Sequence, residues 1–237
     1  MCVAAIALAA HPRWQFILAG NRDEFHARPT AALARWEADP QVIAGRDLQS
    51  GGSWLGVSER GRIALVTNVR NPDGPALGKA SRGVLVADWL TETGDYAEPE
   101  LADLTRFNPF NLLIADRNGA RFLTNQPYPE TRTLTPGLHA LSNGTEGEAW
   151  PRKDRLKATL ADWLSGDAED PVHLLDRLSD EDETQDTPPL FIRSPVYGTR
   201  CSTMIAIDRA GQGVITERRF GAGGKPEGET QVHFLWP

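Results

Sequence analysis

The sequence predicts an α+β fold of packed, mostly antiparallel layers. Two observations carry this. Strand-like runs come in pairs joined by short breakers, and helix-like runs are grouped between them instead of alternating with single strands. A third observation removes the main competitor: no G-x-G-x-x-G or G-x-x-x-x-G-K-[ST] loop occurs, so nucleotide binding on a doubly wound sheet has no motif behind it.

The elements follow in order. Cys2 to Ala10 is a short apolar run without helical spacing, which suits a strand buried on both faces. His11-Pro12-Arg13 breaks it, and Trp14 to Gly20 is a second run, so the two read as a hairpin that returns Asn21-Arg22-Asp23-Glu24 toward the start of the first strand. Arg28 to Gly52 has no clear period and reads as irregular. Trp54 to Ser58 and Arg62 to Asn68 form another hairpin around Glu59-Arg60-Gly61. Ser81 to Thr93 carries Val84, Leu85, Trp89 and Leu90 before Gly94, a helix with a glycine stop. Asn111 to Asp116 and Ala120 to Thr124 flank Asn118-Gly119, a hairpin signal. Leu138 to Ser142 is a short strand ending at Asn143. Trp150 to Leu164 starts with Pro151 in the first turn and lines up Leu156, Leu160, Trp163 and Leu164, a helix with one apolar face. Asp170 to Leu178 is a second short helix, and Ser179 to Pro189 an acidic loop. Ser202 to Asp208, Gly213 to Phe220 and Thr230 to Leu235 are closing strands. There are no repeats, and 1–237 reads as a single domain.

Charge and composition narrow the function classes. The chain has 25 Lys+Arg against 32 Asp+Glu, a net charge of −7, and no basic block. Phosphate binding rests on clustered cations, so nucleic acid and anionic membrane surfaces are poor partners. No apolar run reaches the roughly 18–20 residues of a spanning helix, and no cleavage site follows the apolar start, so membrane insertion and export are not expected and the cytoplasm is. A small molecule is left as the expected partner, with the oligomeric state open. Two cysteines, Cys2 and Cys201, make no disulfide framework. The five histidines are scattered without ligand spacing, so no metal site is expected.

Cys2 is the candidate chemical centre. Its small side chain favours removal of Met1, which would leave a free α-amine beside the thiol. The amine titrates near 7.7–8.0 and the thiol near 8.5, so the amine can take the thiol proton. Such a nucleophile needs a carboxylate or amide to orient the amine, and Arg or amide donors to favour the thiolate and the oxyanion. Without those supports Cys2 would be a small apolar strand residue. The candidates for support are Arg22 and Asp23 at the hairpin end, Asn68 and Asn143 at strand ends, and Arg200 opening a closing strand. Asp23 and Glu24 are expected on opposite sides of a regular strand, so only one would face Cys2.

Taken together, Met1-Cys2, Asn21-Arg22-Asp23-Glu24, Gly52-Ser53-Trp54-Leu55-Gly56, Thr67-Asn68-Val69-Arg70, Leu141-Ser142-Asn143, Trp150-Pro151-Arg152-Lys153 and Tyr197-Gly198-Thr199-Arg200 resemble the NRDE family. This family is also called the transport and Golgi organization protein 2 family. The resemblance spans nearly the whole chain and implies a four-layer α-β-β-α sandwich of N-terminal-nucleophile hydrolase type. It places the chain near the cysteine-type penicillin V acylases and bile-salt hydrolases, which cleave linear amides. By order and context, Cys2, Asn68, Asn143 and Arg200 match those enzymes' site residues. Counted from Gly20 without a gap, Asn21 stands where their Arg is expected and Glu24 where their Asp is; a shift of one or two residues puts Arg22 and Asp23 there.

Three functions are therefore expected, in this order. The first is a cysteine amidohydrolase without a cofactor, with Cys2 attacking and Asn68 and Asn143 holding the oxyanion. The second, implied by the family's link to haem mobilisation, is a haem or hydrophobic-ligand carrier with Cys2, His26 or His139 as axial ligand. The third is a catalytically silent interaction module.

Overall fold

The computed structural model describes residues 2–237 except 146, 167 and 185. The expectation about Met1 falls outside the described residues. In chain order the strands are β1 (Cys2–Leu8), β2 (Trp14–Phe25), β3 (Thr30–Trp36), β4 (Asp39–Asp47), β5 (Leu55–Ser58), β6 (Arg62–Asn68), β7 (Phe110–Asp116), β8 (Gly119–Thr124), β9 (Glu130–Leu134), β10 (Gly137–Leu141), β11 (Tyr197–Asp208), β12 (Gln212–Phe220) and β13 (Pro226–Leu235). The helices are α1 (Gly83–Thr91), α2 (Pro151–Ser165) and α3 (His173–Arg177).

The chain divides into two compact units. One is built from Met1–Arg28, Pro136–Ser142 and Ala149–Leu235, the other from Pro29–Thr135, Asn143–Glu148 and Trp236–Pro237. Each holds one sheet, and every strand pairing in both sheets is antiparallel.

In the first unit the strands lie in the order β10-β1-β2-β11-β12-β13. Side chains alternate across a strand, so opposed residues share a face. Val3, Ala5, Ala7, Ile17, Ala19, Met204 and Ala206 form one face and pack against Leu156, Leu160 and Trp163 of α2 and Leu174 and Leu175 of α3. The many alanines on the strands let the helix stripe come close. The residues between them, including Ala4, Ile6, Phe16, Leu18, Ile205 and Ile207, are buried as well. The central strands are therefore covered on both faces, which is why β1 reads as a continuous apolar run rather than an alternating one. Gly20 sits opposite Ala4, and a Cβ there would stand 2.8 Å from the Val3 carbonyl oxygen and 2.9 Å from Ala4 Cβ. Only glycine fits between these two strands.

In the second unit β3 to β9 follow one another across the sheet as a meander. Leu85, Val86, Trp89 and Leu90 of α1 pack on Val42, Ala44, Ala64, Val66 and Leu112. Here the reading of residues 28–52 as irregular is corrected: they form the β3–β4 hairpin. The period is hidden because the pairing shifts register between Ala31 and Ala34 and again between Arg35 and Trp36. A bulge moves side chains to the other face and erases the two-residue alternation on which the expectation rested. The hairpins at Glu59-Arg60-Gly61 and Asn118-Gly119, and helices α1 and α2, form as expected.

Candidate active site

The first unit assembles the candidate centre at one end of its four inner strands, β1, β2, β11 and β12. Cys2 lies opposite Arg22, Arg22 opposite Cys201, and Cys201 opposite Arg219. These four residues share one face of the sheet. Each step between opposed strands spans about 5 Å, so Cys2 and Cys201 are about 10 Å apart at Cα, too far for a disulfide. Neither cysteine is in one.

Cys2 is half-buried. Burial pushes its thiol above the ordinary value; the positive amino terminus, Arg22 and a bond from the Asp23 backbone N–H pull it down, and the Asp23 charge pushes it up. The thiol therefore rests protonated near neutral pH and needs a base to become a nucleophile. Cys201 is fully interior. Burial, then the neighbouring Glu217 carboxylate, push its thiol well above the ordinary value, against the pull of Arg22. The Thr203 hydroxyl lies 3.9 Å from its sulfur.

Arg22 is only 7% exposed, and its Nη1 is buried with no hydrogen-bond partner among the described residues. A buried guanidinium nitrogen without an acceptor is costly. Arg22 thus offers an unused N–H beside Cys2, where a carbonyl oxygen or an anion could accept it. Arg200 Nη1 donates to the carbonyls of Phe25 (3.0 Å), His26 (3.1 Å) and Arg28 (3.0 Å). Arg200 sits at the bulge where β11 shifts against β2, between Thr199 and Cys201. It fixes the chain leaving β2.

Asp23 turns to the face opposite Arg22, as the alternation requires. Its side chain is fully buried and forms an ion pair with Arg152 of α2. The Thr199 hydroxyl donates to its Oδ1 at 2.7 Å, and the Tyr197 hydroxyl donates to its backbone carbonyl at 3.0 Å. Arg152 also donates to the Leu190 carbonyl at 2.5 Å. Asn21 lies two residues back on the same face. Its Nδ2 donates to the carbonyls of Leu178 (2.9 Å) and Leu190 (2.7 Å), and its Oδ1 accepts from Ser202 Oγ (2.6 Å). Asn21 and Asp23 are therefore joined through Arg152 and Leu190 into one polar cluster beneath the helix layer. Glu24 is on the outer part of the strand end: it accepts from the Phe25 N–H at 2.8 Å and lies 3.9 Å from Arg28.

The other sequence candidates are placed as follows. Asn68 ends β6 in the second unit and is exposed, while Asn143 in the same unit is buried. Asn143 Nδ2 donates to the Asn68 carbonyl at 2.5 Å, and the Asn143 carbonyl accepts from the Arg70 N–H at 2.8 Å. His26 bonds the Ser194 carbonyl through Nε2 at 3.1 Å, which makes Nε2 the protonated nitrogen. Its Nδ1 is buried without a partner among the described residues. His139 pairs with Ile6 between β10 and β1. No group of three or more His, Cys, Asp or Glu residues could hold a metal among the described residues.

Sequence reasoning named Arg152 and Thr199 only within the motifs that carry the resemblance and gave neither a role at the site. The signal for Arg152 was present: it falls four residues before Leu156 and eight before Leu160, on the apolar stripe of α2. An arginine at that spacing must find a buried partner. Which carboxylate it meets depends on the packing of α2 against β2 and is invisible locally.

A model of the family described as Transport and Golgi organisation 2 matches residues 1–222. The Homo sapiens Transport and Golgi organization protein 2 homolog is 30% identical over 92% of this chain and 92% of its own length. The Bos taurus homolog is 30% identical over 98% of each. Among solved structures, a Caenorhabditis elegans ortholog of N-acylethanolamine-hydrolyzing acid amidase superposes with a TM-score of 0.55, at 12% identity, covering 86% of this chain and 92% of that one. A conjugated bile acid hydrolase mutant from Clostridium perfringens gives a TM-score of 0.52, at 8% identity, covering 98% and 92%. At such identities the likeness is one of fold alone: an α+β sandwich of the N-terminal-nucleophile hydrolase class.

Proposed function

Since the chain belongs to the Transport and Golgi organisation 2 family and carries an N-terminal-nucleophile hydrolase fold, we propose that it is a cysteine amidohydrolase of that type, acting on a linear C–N bond of a small molecule. One observation supports this above the rest. Cys2, at the start of β1, receives the Asp23 N–H and lies opposite Arg22, whose buried Nη1 has no partner among the described residues. The family's name speaks of transport and not of hydrolysis; the two solved structures of like fold are, by their names, an N-acylethanolamine-hydrolyzing acid amidase ortholog and a conjugated bile acid hydrolase, and the reading carries that reaction type to this chain.

The reading requires removal of Met1. The α-amine of Cys2 then takes the thiol proton as sulfur attacks the carbonyl carbon, so the raised thiol does not have to stand as thiolate beforehand. Charge developing on the carbonyl oxygen is met by the free N–H of Arg22. The C–N bond breaks, and the departing amine takes the proton back from the Cys2 ammonium. Water attacks the thioester, the amine accepts its proton, and release of the acid restores the thiol.

Two measurements test this. Intact mass of protein from its native host should show Cys2 as the first residue. At neutral pH an iodoacetamide-type electrophile should label Cys2 at least about tenfold faster than buried Cys201, given the difference in burial. Retained Met1, or equal labelling of the two thiols, would remove the proposed nucleophile.

A further inference from the structure

We propose that Arg152, on α2, is a positioning residue for Cys2: by neutralising Asp23 from the opposite face of the sheet it sets the field under which the Cys2 thiol loses its proton. The proposal rests on the reading of Cys2 as nucleophile and adds a residue outside the row that faces it.

The geometry is specific. Asp23 and Arg152 are both interior, with side chains 0% and 4% exposed. The Asp23 backbone N–H reaches the Cys2 sulfur, while its carboxylate points to the other face and meets Arg152 and Thr199. One residue thus touches the thiol with its main chain and the helix layer with its side chain. Arg152 in turn is held by the Leu190 carbonyl, which also accepts from Asn21. The cluster holds the Asp23 peptide against Cys2 and sets a positive charge against the Asp23 carboxylate that acts on the thiol.

The pairing matters because opposed fields meet at Cys2. The charged groups nearest it are Arg22 across the pair on β2 and Asp23 beside it, with Glu24 two residues beyond Arg22 and Arg219 on β12 farther out on the same face. Cys201 on β11 and Glu217 on β12 lie farther along the same face, and His139 on β10 lies opposite Ile6. An ionised, unpaired Asp23 would disfavour the thiolate and hold a nearby ammonium in its protonated form. Both effects move Cys2 reactivity to higher pH. Paired with Arg152, Asp23 keeps its N–H donor, and the opposite charge offsets part of that penalty.

The experiment is the rate of Cys2 alkylation by iodoacetamide between pH 6 and 10, read by mass spectrometry at Cys2 alone. Wild type, Arg152→Met, Arg152→Lys and the double variant Asp23→Asn/Arg152→Met are compared. Arg152→Met should lower the rate at pH 7.5 by about tenfold and move the profile to higher pH by about one unit, the effect of an unscreened neighbouring charge. Arg152→Lys keeps the charge and should stay near wild type. The double variant removes both charges and should return the profile to near wild type, a coupling that a purely structural pair would not produce. Where Arg152→Met does not fold, Arg152→Gln keeps a donor for Leu190 and carries the same expectation. A wild-type Cys2 that does not alkylate sinks the nucleophile reading and this proposal with it. A reactive wild-type Cys2 whose profile is unchanged by Arg152→Met or Arg152→Gln overturns this proposal and leaves the nucleophile reading standing.

Discussion

At the scale of single residues, the tract from Asn21 to Glu24 divides by strand alternation into two jobs. Arg22 faces Cys2 and Cys201, while Asn21 and Asp23 face the helix layer. Asn21 uses both side-chain N–H groups, toward Leu178 and Leu190, and its oxygen accepts from Ser202, all without exposure to solvent. Asn21→Ala removes the donor to the Leu178 carbonyl and the acceptor of the Ser202 hydroxyl, leaves the Leu190 carbonyl to Arg152 alone, and should cost about 2–3 kcal/mol of stability. Glu24→Gln removes only a long, partly exposed contact to Arg28 and should change stability by less than about 0.5 kcal/mol. Urea unfolding of the two variants checks the contrast; equal effects would show that the alternation drawn here is wrong. Cys201 supplies a pH test. Its folded thiol is held well above the ordinary value by burial, so the folded state keeps a proton that the unfolded chain gives up. The stability this contributes is complete below the unfolded thiol's value, near 8.5, and is lost as pH rises above it. Urea midpoints taken at pH 7 and 9.5 should therefore fall less in Cys201→Ala than in wild type.

At the scale of elements, α2 is both a packing helix and the carrier of Arg152. Its stripe of Arg152, Leu156, Leu160 and Trp163 is one helical face, and the apolar part of it is what presses the charged part onto β2. Leu160 is fully buried, and Leu160→Ala should destabilise the protein by about 2–5 kcal/mol through the lost burial and the cavity it leaves. Lys157→Ala on the exposed side of the same helix should cost less than about 0.5 kcal/mol. Thermal or denaturant melts of both decide whether α2 is held by that face. Strands show the converse limit of local reading. The first hairpin and those at Gly61 and Gly119 are legible because their turn residues and apolar runs agree. β3 and β4 are not, because their bulges break the period at which alternation is read.

At the scale of the whole molecule, the candidate centre is assembled by pairings remote in sequence. Asp23 and Thr199 are 176 residues apart, and β11 is the inner neighbour of both β2 and β12. A chain ending at residue 190 lacks β11, β12 and β13, so β2 is left as an open edge and Asp23 loses Thr199. Such a truncation should fail to protect the β1 and β2 amides from hydrogen exchange; protection equal to the full chain would show that β11 is dispensable to that sheet. The sequence by itself determined the antiparallel layered class, most hairpins and the helix faces, and it offered Cys2 as the candidate centre, because turn chemistry and side-chain period act over a few residues. The tertiary structure decided that Arg22 shares the face of Cys2 and Asp23 the face of Arg152, and that Arg200 binds main-chain carbonyls. Those choices follow from the register of β1, β2 and β11 and from the docking of α2, where one residue of slip would exchange every face, and no local pattern encodes that register.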